Sequence, residues 1–470
     1  MGKPFIKLLH TINAGYLYDV NRNQIVDISE ESYQYLENLL ADQAVGEEPE
    51  EITCLRKAGY LSDHRVKKIE HQDSFYLAPL LERRVYSITL QLTQQCNFRC
   101  SYCVYNDVED NIGQRKHSSK VMSGVVAKDA IIFLRDHSVD CSEVNIGFYG
   151  GEPLLCFDQL KELTLYAENI FKGKKCTFSI TTNGSLLKGT VLDFLVEHQF
   201  GINISIDGPK EIHDANRVFQ GSKLGTYETV YRNLMSIRER YPDYLENIYI
   251  HMVMDPKNDY DVIDRFINDE DLTKIKVTTA LLDDHYSLEK HPMTVDFQGK
   301  YQYQFFLSLL TDLHRLGREY PSKIAMDALS NIKKKNDSMT GNTHLPDVAS
   351  PSGQCIPGEQ RLFCDVEGNL YPCERVSETA TCMRIGNIYD GFDIKQAYSL
   401  LNIATITEED CIQCPAFQQC SLCISACESQ GRISQQTRRN HCNDVVRQMD
   451  QSLRCFVLPK EYKNTYKRRE

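Results

Sequence analysis

Apolar positions between about residue 85 and residue 330 recur with two alternating periods. Short β-rich runs are separated by amphipathic stretches of helical spacing, which is the pattern of βα units around a parallel sheet. The predicted strands are Val85 to Leu92, Val144 to Tyr149, Cys176 to Thr181, Gly201 to Ile206, Asn247 to Met254 and Lys274 to Leu281. The predicted helices between them are Val125 to His137, Phe157 to Phe171, Leu186 to His198, Tyr227 to Tyr241 and Tyr260 to Ile267. The pattern therefore predicts an α/β fold built from six consecutive units.

The first 75 residues have a different pattern. Gly15 to Ile28 alternate apolar and polar positions around a polar turn, which predicts a β-hairpin. Helical periods follow in Glu30 to Leu40 and Pro49 to Ala58. Strands followed by helices predict a small winged-helix-like domain over residues 1–75.

A polar segment at residues 331–351 contains Lys333 to Lys335 together with scattered Gly, Ser and Pro. This composition predicts a linker. It separates the βα region, residues 80–330, from a second region at residues 352–455, which is followed by a tail at residues 456–470.

The net charge and the hydropathy of the chain argue against some classes of function. The chain has 470 residues, and its 53 Lys and Arg against 65 Asp and Glu give a net charge of −12, which argues against a nucleic-acid backbone as the principal partner. No apolar run approaches the roughly 20 residues of a membrane span, and the start of the chain lacks the apolar core of a secretory signal. The sequence therefore predicts a cytoplasmic protein that acts on a peptide or a small molecule.

The chain has 18 cysteines, and in a reducing cytoplasm clustered cysteines indicate metal rather than disulfides. Six lie singly in apolar or mixed surroundings and are interpreted as inert thiols: Cys54, Cys141, Cys156, Cys176, Cys382 and Cys455. The other twelve fall into two groups.

The first group is Cys96, Cys100 and Cys103, directly after the first predicted strand of the βα region. A compact loop with three thiolates can hold a four-iron cluster and leaves one iron free for a ligand that is not protein. Part of a zinc site, which prefers four ligands, and free thiols are the alternatives.

The spacing of these three cysteines, with the aromatic Tyr102 before the last, resembles the cluster loop of the radical S-adenosylmethionine (radical SAM) enzymes. The resemblance implies that the amino and carboxylate groups of SAM chelate the open iron and that SAM is cleaved reductively to a 5'-deoxyadenosyl radical. It also implies a partial (β/α)6 TIM-like barrel. Cys96, Cys100 and Cys103 would be the catalytic and metal-binding residues, and Tyr102 would contact the cofactor.

Further motifs follow the predicted strands in the order that this family has. Gly150, Gly151 and Glu152 resemble its glycine-rich turn, whose backbone and Glu hold the SAM amino group. The resemblance assigns the ribose and carboxylate contacts to residues at the next strand ends, here Asn183, Ser205, Asp207 and Arg217. Each motif alone is an ordinary turn sequence. In parallel barrels, however, the loops at the carboxyl ends of the strands form the active site, so the motifs converge on one face.

The second group of cysteines resembles the SPASM domain, which carries two auxiliary four-iron clusters in radical SAM enzymes that act on peptides. The resemblance assigns the first auxiliary cluster to Cys355, Cys373 and Cys423, with Cys427 or an open site in the fourth position. It assigns the second to Cys411, Cys414, Cys420 and Cys442. Cys364 is interpreted as structural. A pair of zinc knots is the alternative, since Cys-x2-Cys is also a zinc spacing.

Together these resemblances identify the chain as a radical SAM/SPASM maturase of a ribosomally made peptide. They imply one SAM-binding [4Fe-4S] cluster, two auxiliary [4Fe-4S] clusters, SAM, and an electron donor such as flavodoxin or ferredoxin. The N-terminal unit is similar to the PqqD-like domain that captures a leader peptide as an added strand, although a packing cap is an alternative. The expected reaction is a Cys-to-carbon thioether crosslink, as in sactipeptide and ranthipeptide synthases. Carbon–carbon crosslinking, epimerisation, formylglycine formation and a non-enzymatic peptide-binding scaffold are the rivals.

Overall fold

The structure is a computed structural model, and it describes residues 2–467 apart from 106–114, 270–271, 273–274, 285–289, 338 and 340–343. No helix in this described part of the chain is long and apolar enough to cross a membrane.

The N-terminal unit is a three-stranded antiparallel sheet in the order β1-β2-β3, followed by two helices. The bounds are β1 Ile6–His10, β2 Gly15–Asp19, β3 Gln24–Ile28, α1 Glu30–Leu40 and α2 Glu50–Lys57. The predicted hairpin is thus confirmed as β2 and β3, and both predicted helices are confirmed. β1 is not predicted by the apolar pattern, because its burial is irregular rather than alternating.

Residues 87–281 form the predicted parallel sheet, with strands in the order β12-β11-β9-β8-β7-β5. The elements from β4 to α11 are β4 Lys68–Ile69, α3 Leu77–Arg83, β5 Ser87–Thr93, β6 Phe98–Cys100, α4 Gly124–His137, β7 Glu143–Gly150, α5 Phe157–Ile170, β8 Lys175–Thr182, α6 Gly189–Glu197, β9 Gly201–Ser205, α7 Lys210–Asn216, β10 Arg217–Phe219, α8 Tyr227–Arg240, β11 Ile248–Met254, α9 Tyr260–Ile267, β12 Lys276–Leu281, α10 Val295–Asp312 and α11 Lys323–Asp337. All six predicted strands and all five predicted helices are confirmed, with ends that shift by a few residues. The first residue of the last predicted strand, Lys274, lies outside the described residues.

β5 presents apolar side chains to one face of the sheet and polar side chains to the other. Ile88, Leu90 and Leu92 are fully buried against the surrounding helices, whereas Thr89 and Gln91 point to the opposite face. Burial of one apolar face on the helices stabilises the barrel, at about 25 cal/mol per Å² of apolar surface. The other face remains available for a ligand.

The C-terminal region extends the same sheet, because β14 pairs in parallel with β5 on the side opposite β7. Its elements are β13 Val348–Ala349, β14 Leu362–Cys364, β15 Asn369–Tyr371, β16 Gly386–Asn387, β17 Gly391–Phe392, α12 Ile394–Leu401, α13 Glu408–Cys411, β18 Glu428–Ser429, β19 Arg432–Ile433, α14 Gln435–Asn440 and α15 Cys442–Lys467. This pairing places the cysteine-rich region directly beside the barrel.

Two predicted segments differ from the observed elements. The segment 331–351, predicted as a linker, begins inside α11, because Ile324, Ala325 and Leu329 bury one face of that helix. The tail predicted at residues 456–470 continues α15 as far as Lys467. The domain assignment itself stays a prediction.

The N-terminal sheet packs on the cysteine-rich region through the face opposite α1 and α2. Tyr18 and Val20 share one apolar cluster with Phe417 and with Met449 of α15. Gln419 donates to the Asn23 side chain at 2.9 Å, which ties the β2–β3 turn to the same region. The N-terminal sheet is therefore packed against the C-terminal region.

Candidate active site

The three cysteines of the first group lie beyond the carboxyl end of β5, and each is half-buried. Cys100 is held by the pairing of β6 with β10, in which it faces Arg217. Burial raises the pKa of both Cys96 and Cys100 to about 12, and each thiol has the others as electrostatic neighbours. Thiols with raised pKa values become thiolates when a metal replaces their protons, so the donor set fits an iron–sulfur cluster.

Beside this pocket, a buried ion pair joins two of the predicted cofactor residues. Arg217 donates to both carboxylate oxygens of Asp207, at 2.8 and 3.1 Å, and the two side chains are 9% and 1% exposed. The Tyr102 hydroxyl also donates to Asp207. Burial opposes the charged form of Arg217, but Asp207 raises its pKa well above the ordinary value. The Arg217 guanidinium also lies 3.9 Å from the Cys100 sulfur, so a permanent cation stands beside the cysteine loop.

Glu152 joins the ends of two neighbouring strands. Its carboxylate accepts hydrogen bonds from the Asn183 N–H at 2.7 Å, the Thr182 hydroxyl at 2.8 Å and the Leu154 N–H at 3.1 Å. Burial raises its pKa to about 7, against the lowering effect of these donors. Asn183 in turn donates to Asn97 at 2.8 Å and lies 3.8 Å from the Cys96 sulfur. The structure thus brings the glycine-rich turn, Asn183 and the cysteine loop together.

Ser205 ends β9 on the polar side of the sheet, where it pairs with His251 of β11. His251 contacts Asn203 at 3.1 Å and Thr278 at 3.0 Å, so polar side chains continue across β9, β11 and β12. The roles of Tyr102, Gly150, Gly151, Glu152, Asn183, Ser205, Asp207 and Arg217 toward SAM stay predictions.

The two glycines pack their backbone directly on the cysteine loop. A Cβ at Gly150, whose φ is +139°, would overlap the Thr93 carbonyl oxygen, and a Cβ at Gly151 would overlap that of Gln95. The turn therefore holds the backbone that leads into Cys96.

We expect Gly151→Ala to weaken SAM binding at least about tenfold, or about 1.4 kcal/mol, because the new methyl group displaces the Gln95–Cys96 backbone. Equilibrium dialysis with labelled SAM measures the affinity. Gly124→Ala is the matched control, since its Cβ meets nothing within 4 Å. Equal affinities in the two variants would contradict the close approach.

The second cysteine group forms a distinct site. Cys411, Cys414, Cys420 and Cys442 line one cavity of about 410 Å³, next to Phe417 and Arg438. Among the described residues, no group of three or more His, Cys, Asp or Glu side chains is close enough to hold a single metal ion. Four thiols that line one cavity are the donor type that a four-iron cluster takes, so the donor set suits the predicted second auxiliary cluster.

Cys423 is the common neighbour of the remaining auxiliary candidates. Burial and then Cys423 raise the pKa of Cys355, while burial, Glu374 and Cys423 raise that of Cys373 to about 11. Cys427 is fully buried and its sulfur accepts from Arg438 at 3.4 Å.

Cys364, interpreted as structural, is fully buried in β14. The assignment of all these cysteines to particular clusters stays a prediction.

Sequence reasoning missed two buried arginines. Arg438 contacts Cys427 and donates to Thr407 at 3.0 Å. Arg115 pairs with Glu378 of the C-terminal region. Neither arginine belongs to a local sequence motif. The one sign of them in the sequence is that each is a cation close to a group of cysteines.

Residues 90–267 match the family model described as Radical SAM superfamily. This part of the chain is a radical SAM domain. The cysteine-type anaerobic sulfatase-maturating enzyme of Clostridium perfringens is 26% identical over 343 residues, which cover 69% of this chain and 84% of that enzyme. A radical SAM domain implies a [4Fe-4S] cluster and SAM, which agrees with the donor set described above.

Solved structures agree on the fold. The structure of native anSMEcpe with bound AdoMet has a TM-score of 0.57 and 20% identity, and the match covers 80% of this chain and 99% of that one. Native anSMEcpe with bound AdoMet and the Kp18Cys peptide has a TM-score of 0.54 and 19% identity, covering 77% and 98%. The radical SAM domain and most of the flanking chain therefore share one known architecture.

Proposed function

We propose that this chain is a cytoplasmic radical SAM maturase of a ribosomally made, cysteine-containing peptide, and that its product is a Cys-to-carbon thioether. When bound, the cluster and SAM supply a radical that removes a hydrogen atom from an unactivated carbon, which no side chain can do. The overall reaction breaks one C–H and one S–H bond and forms one C–S bond. The carbon would lose a hydrogen atom and the thiol a proton, and an auxiliary cluster held by the second group of cysteines would be the acceptor of the remaining electron.

The chain's own residues prepare this reaction. The Asp207–Arg217 pair fixes a cation beside the cysteine loop, where the SAM carboxylate would bind. Glu152, buried and joined to Asn183, holds the turn that faces the SAM amino group. An electron donor such as flavodoxin or ferredoxin would reduce the cluster.

The observation that carries the thioether proposal is the position of Cys427. Its sulfur is engaged with Arg438, and its neighbours Cys423 and Cys420 belong one to each auxiliary set. Cys355 and Cys373 also have Cys423 as a neighbour, so the feature that distinguishes Cys427 is the hydrogen bond from Arg438 to its sulfur. This arrangement favours a first auxiliary site with three protein thiols, whose fourth position is available to the thiolate of a substrate cysteine.

The N-terminal sheet supports capture of a leader peptide. In an antiparallel pair, alternate residues of a strand exchange backbone hydrogen bonds with the partner strand. The Val20 N–H donates to the Phe5 carbonyl oxygen at 2.9 Å, so the even-numbered residues of β2 bond to β1. The intervening residues of β2 therefore bond to β3, which leaves the N–H and C=O groups of Ile25 and Asp27 at the outer edge of β3. A peptide added there as a strand would satisfy these groups. The outer side of β1 is less accessible, because Arg454 donates to the His10 carbonyl oxygen at 2.7 Å.

We expect Asp27→Pro to weaken binding of the precursor about tenfold or more, because proline removes an outward N–H without breaking a bond to β2. Fluorescence anisotropy with labelled precursor measures the affinity. Asp27→Ala is the matched control, because it removes the carboxylate but keeps the N–H. Equal loss in both variants would attribute binding to the side chain and would contradict strand addition.

Formylglycine formation is the second candidate, and the 84% coverage of a cysteine-type sulfatase-maturating enzyme favours it. The Kp18Cys peptide, which is bound in a related structure, is the probe for this alternative. Mass spectrometry separates the products, because a thioether lowers the peptide mass by about 2 units and conversion of Cys to formylglycine lowers it by about 18 units.

The deciding experiment combines anaerobically reconstituted protein, SAM and dithionite with either the precursor or the Kp18Cys peptide. We expect 5'-deoxyadenosine and a loss of about 2 mass units per crosslink in the precursor. A loss of about 18 units instead would establish the second candidate. Peptide binding without any 5'-deoxyadenosine would indicate a non-enzymatic scaffold.

A further inference from the structure

A fully buried arginine, Arg438 of α14, lies beside the auxiliary cysteines. It lines the cavity of about 410 Å³ whose cysteines are Cys411, Cys414, Cys420 and Cys442, which we call the four-cysteine cavity. Its Nη1 donates to the Cys427 sulfur at 3.4 Å, and its Nε donates to the Thr407 hydroxyl oxygen at 3.0 Å. In the described part of the chain, Nη2 is buried and has no hydrogen-bond partner. The guanidinium therefore has hydrogen-bonding capacity that these contacts leave unused.

Among the described residues, no carboxylate bonds to the Arg438 guanidinium, whose partners there are the Thr407 hydroxyl and the Cys427 sulfur. A guanidinium stays protonated in proteins, and buried charges are normally paired or lie at a metal centre. Arg439, the next residue, shows the ordinary arrangement, because it donates to Asp410 at 2.6 Å with side chains 39% and 48% exposed. The buried charge of Arg438 therefore indicates an anionic group in the four-cysteine cavity.

A four-iron cluster would supply this negative charge. Four thiolates outweigh the positive charge of the iron–sulfur core, so the cluster is anionic before reduction and gains one more negative charge on reduction. Net charge and hydrogen bonds to the sulfurs are among the factors that set the reduction potential of a cluster. A buried cation beside the cluster stabilises the reduced state more than the oxidised state, so it raises the potential.

Thr407 extends the contact from Arg438 to a cysteine of the cavity. Its oxygen accepts from Arg438 Nε and lies 3.3 Å from the Cys411 sulfur. A thiolate can only accept a hydrogen bond, so the Thr407 hydroxyl would donate to Cys411 once this cysteine is a cluster ligand. The Cys442 sulfur lies 3.7 Å from the Arg438 carbonyl oxygen, which places α14 against the same cavity. Each step from the guanidinium to Cys411 is therefore a direct contact.

We propose that Arg438 is the internal counter-ion of the second auxiliary cluster, and that it raises the reduction potential of this cluster both directly and through Thr407. The proposed function needs an acceptor for the electron that remains after the C–H and S–H bonds are broken. A cluster with a raised potential accepts this electron more readily and passes to its reduced state. The inference rests on the proposed function only in requiring that the second cysteine group holds a four-iron cluster.

A purely structural role for Arg438 predicts a different result. Replacement of a buried charge by an apolar side chain of similar volume is often neutral or stabilising. The helix α14 also keeps its N-terminal cap, since Ser434 accepts from the Thr437 N–H at 3.1 Å. Arg438→Met should therefore fold, and a structural role would leave the reduction potential unchanged. Arg439→Met is the matched control, because it makes the same substitution at the next position of the same helix.

The test is an EPR-monitored redox titration of the reconstituted full-length protein. The signal of the second auxiliary cluster is identified by its absence from the double variant Cys411→Ala with Cys414→Ala. In Arg438→Met we expect the ratio of reduced to oxidised second cluster at a fixed potential to fall at least about tenfold, which is about 59 mV for a one-electron couple. Arg439→Met should keep the wild-type ratio, and the other clusters should not shift in either variant.

Two more variants separate the charge from the hydrogen bond. Arg438→Lys keeps the charge without the planar fork, so it should recover part of the wild-type ratio. Thr407→Val keeps the guanidinium and removes only the hydroxyl beside Cys411, so it should lower the ratio about threefold. This second variant decides the question if Arg438→Met does not load its iron.

A wild-type ratio in iron-loaded Arg438→Met would overturn the inference, as would a wild-type ratio in Thr407→Val where Arg438→Met does not load. An equal shift of all the clusters would also overturn it, because the effect would then not be specific to the four-cysteine cavity. A wild type that holds zinc there, with no redox signal, would remove the cluster and the inference together. If the expected shifts appeared but the precursor gained no thioether, the proposed function alone would be contradicted.

Discussion

Replacement of Cys96, Cys100 and Cys103 by Ala together is expected to reduce 5'-deoxyadenosine formation to the background rate. The three thiols lie in one loop, and burial raises the pKa of two of them to about 12, so their protons leave only when metal binds. Without these thiols there is no cluster to deliver an electron to SAM. The variant should also contain about four fewer irons per chain, while the auxiliary signals remain. Product chromatography and iron analysis of anaerobic protein measure both effects.

Cys156→Ala is the matched control, because this half-buried thiol lies in the same domain and has no predicted ligand role. It should retain the iron content and the activity of the wild type. If the triple variant still cleaved SAM while Cys156→Ala did not, the assignment of the open-iron cluster to the cysteine loop would be wrong.

Most strands and helices of the barrel were predictable because they bury apolar residues along one face; β12 is an exception, since none of its residues is buried. β7, for example, alternates buried Val144, Ile146 and Phe148 with less buried positions. β14 was not predictable, since it has three residues, all buried, and its partner β5 lies more than 250 positions away in the sequence. Periodicity cannot identify a strand that is shorter than two periods.

In the candidate site, too, local features were predictable from the sequence and long-range contacts were not. The cysteine loop, the glycine-rich turn and the strand-end residues are local patterns, and the structure brings Asn183 and Arg217 to the loop as their spacing suggests. The pair of Arg115 with Glu378 joins residues 263 positions apart, and their residue types alone match any solvated surface. Long-range buried pairs of this kind are specified by the packing of whole domains, so a single sequence does not identify them.

Arg217→Met is expected to have the second largest effect. In this variant the Asp207 carboxylate stays buried and still accepts hydrogen bonds from the Tyr102 hydroxyl and, at 3.1 Å, from the Val253 N–H. It has lost the cation that balanced its charge. Breaking a buried pair by removing one partner costs about 3–5 kcal/mol, since an uncompensated charge remains. The variant should unfold at a lower temperature and should lose measurable SAM binding, because the guanidinium beside Cys100 is absent. Calorimetry and equilibrium dialysis measure the two losses.

The control for this prediction is an ion pair of similar length on the surface of the same domain. Arg240 and Asp193 lie 2.6 Å apart with side chains 42% and 45% exposed, and exposed pairs contribute about 1 kcal/mol or less. Arg240→Met should therefore change neither the unfolding temperature nor SAM binding to a comparable degree. If both variants lost stability equally but bound SAM normally, the Asp207–Arg217 pair would be a structural element of the barrel. A loss of SAM binding in Arg217→Met at an unchanged unfolding temperature would instead identify the guanidinium as a direct ligand of the cofactor.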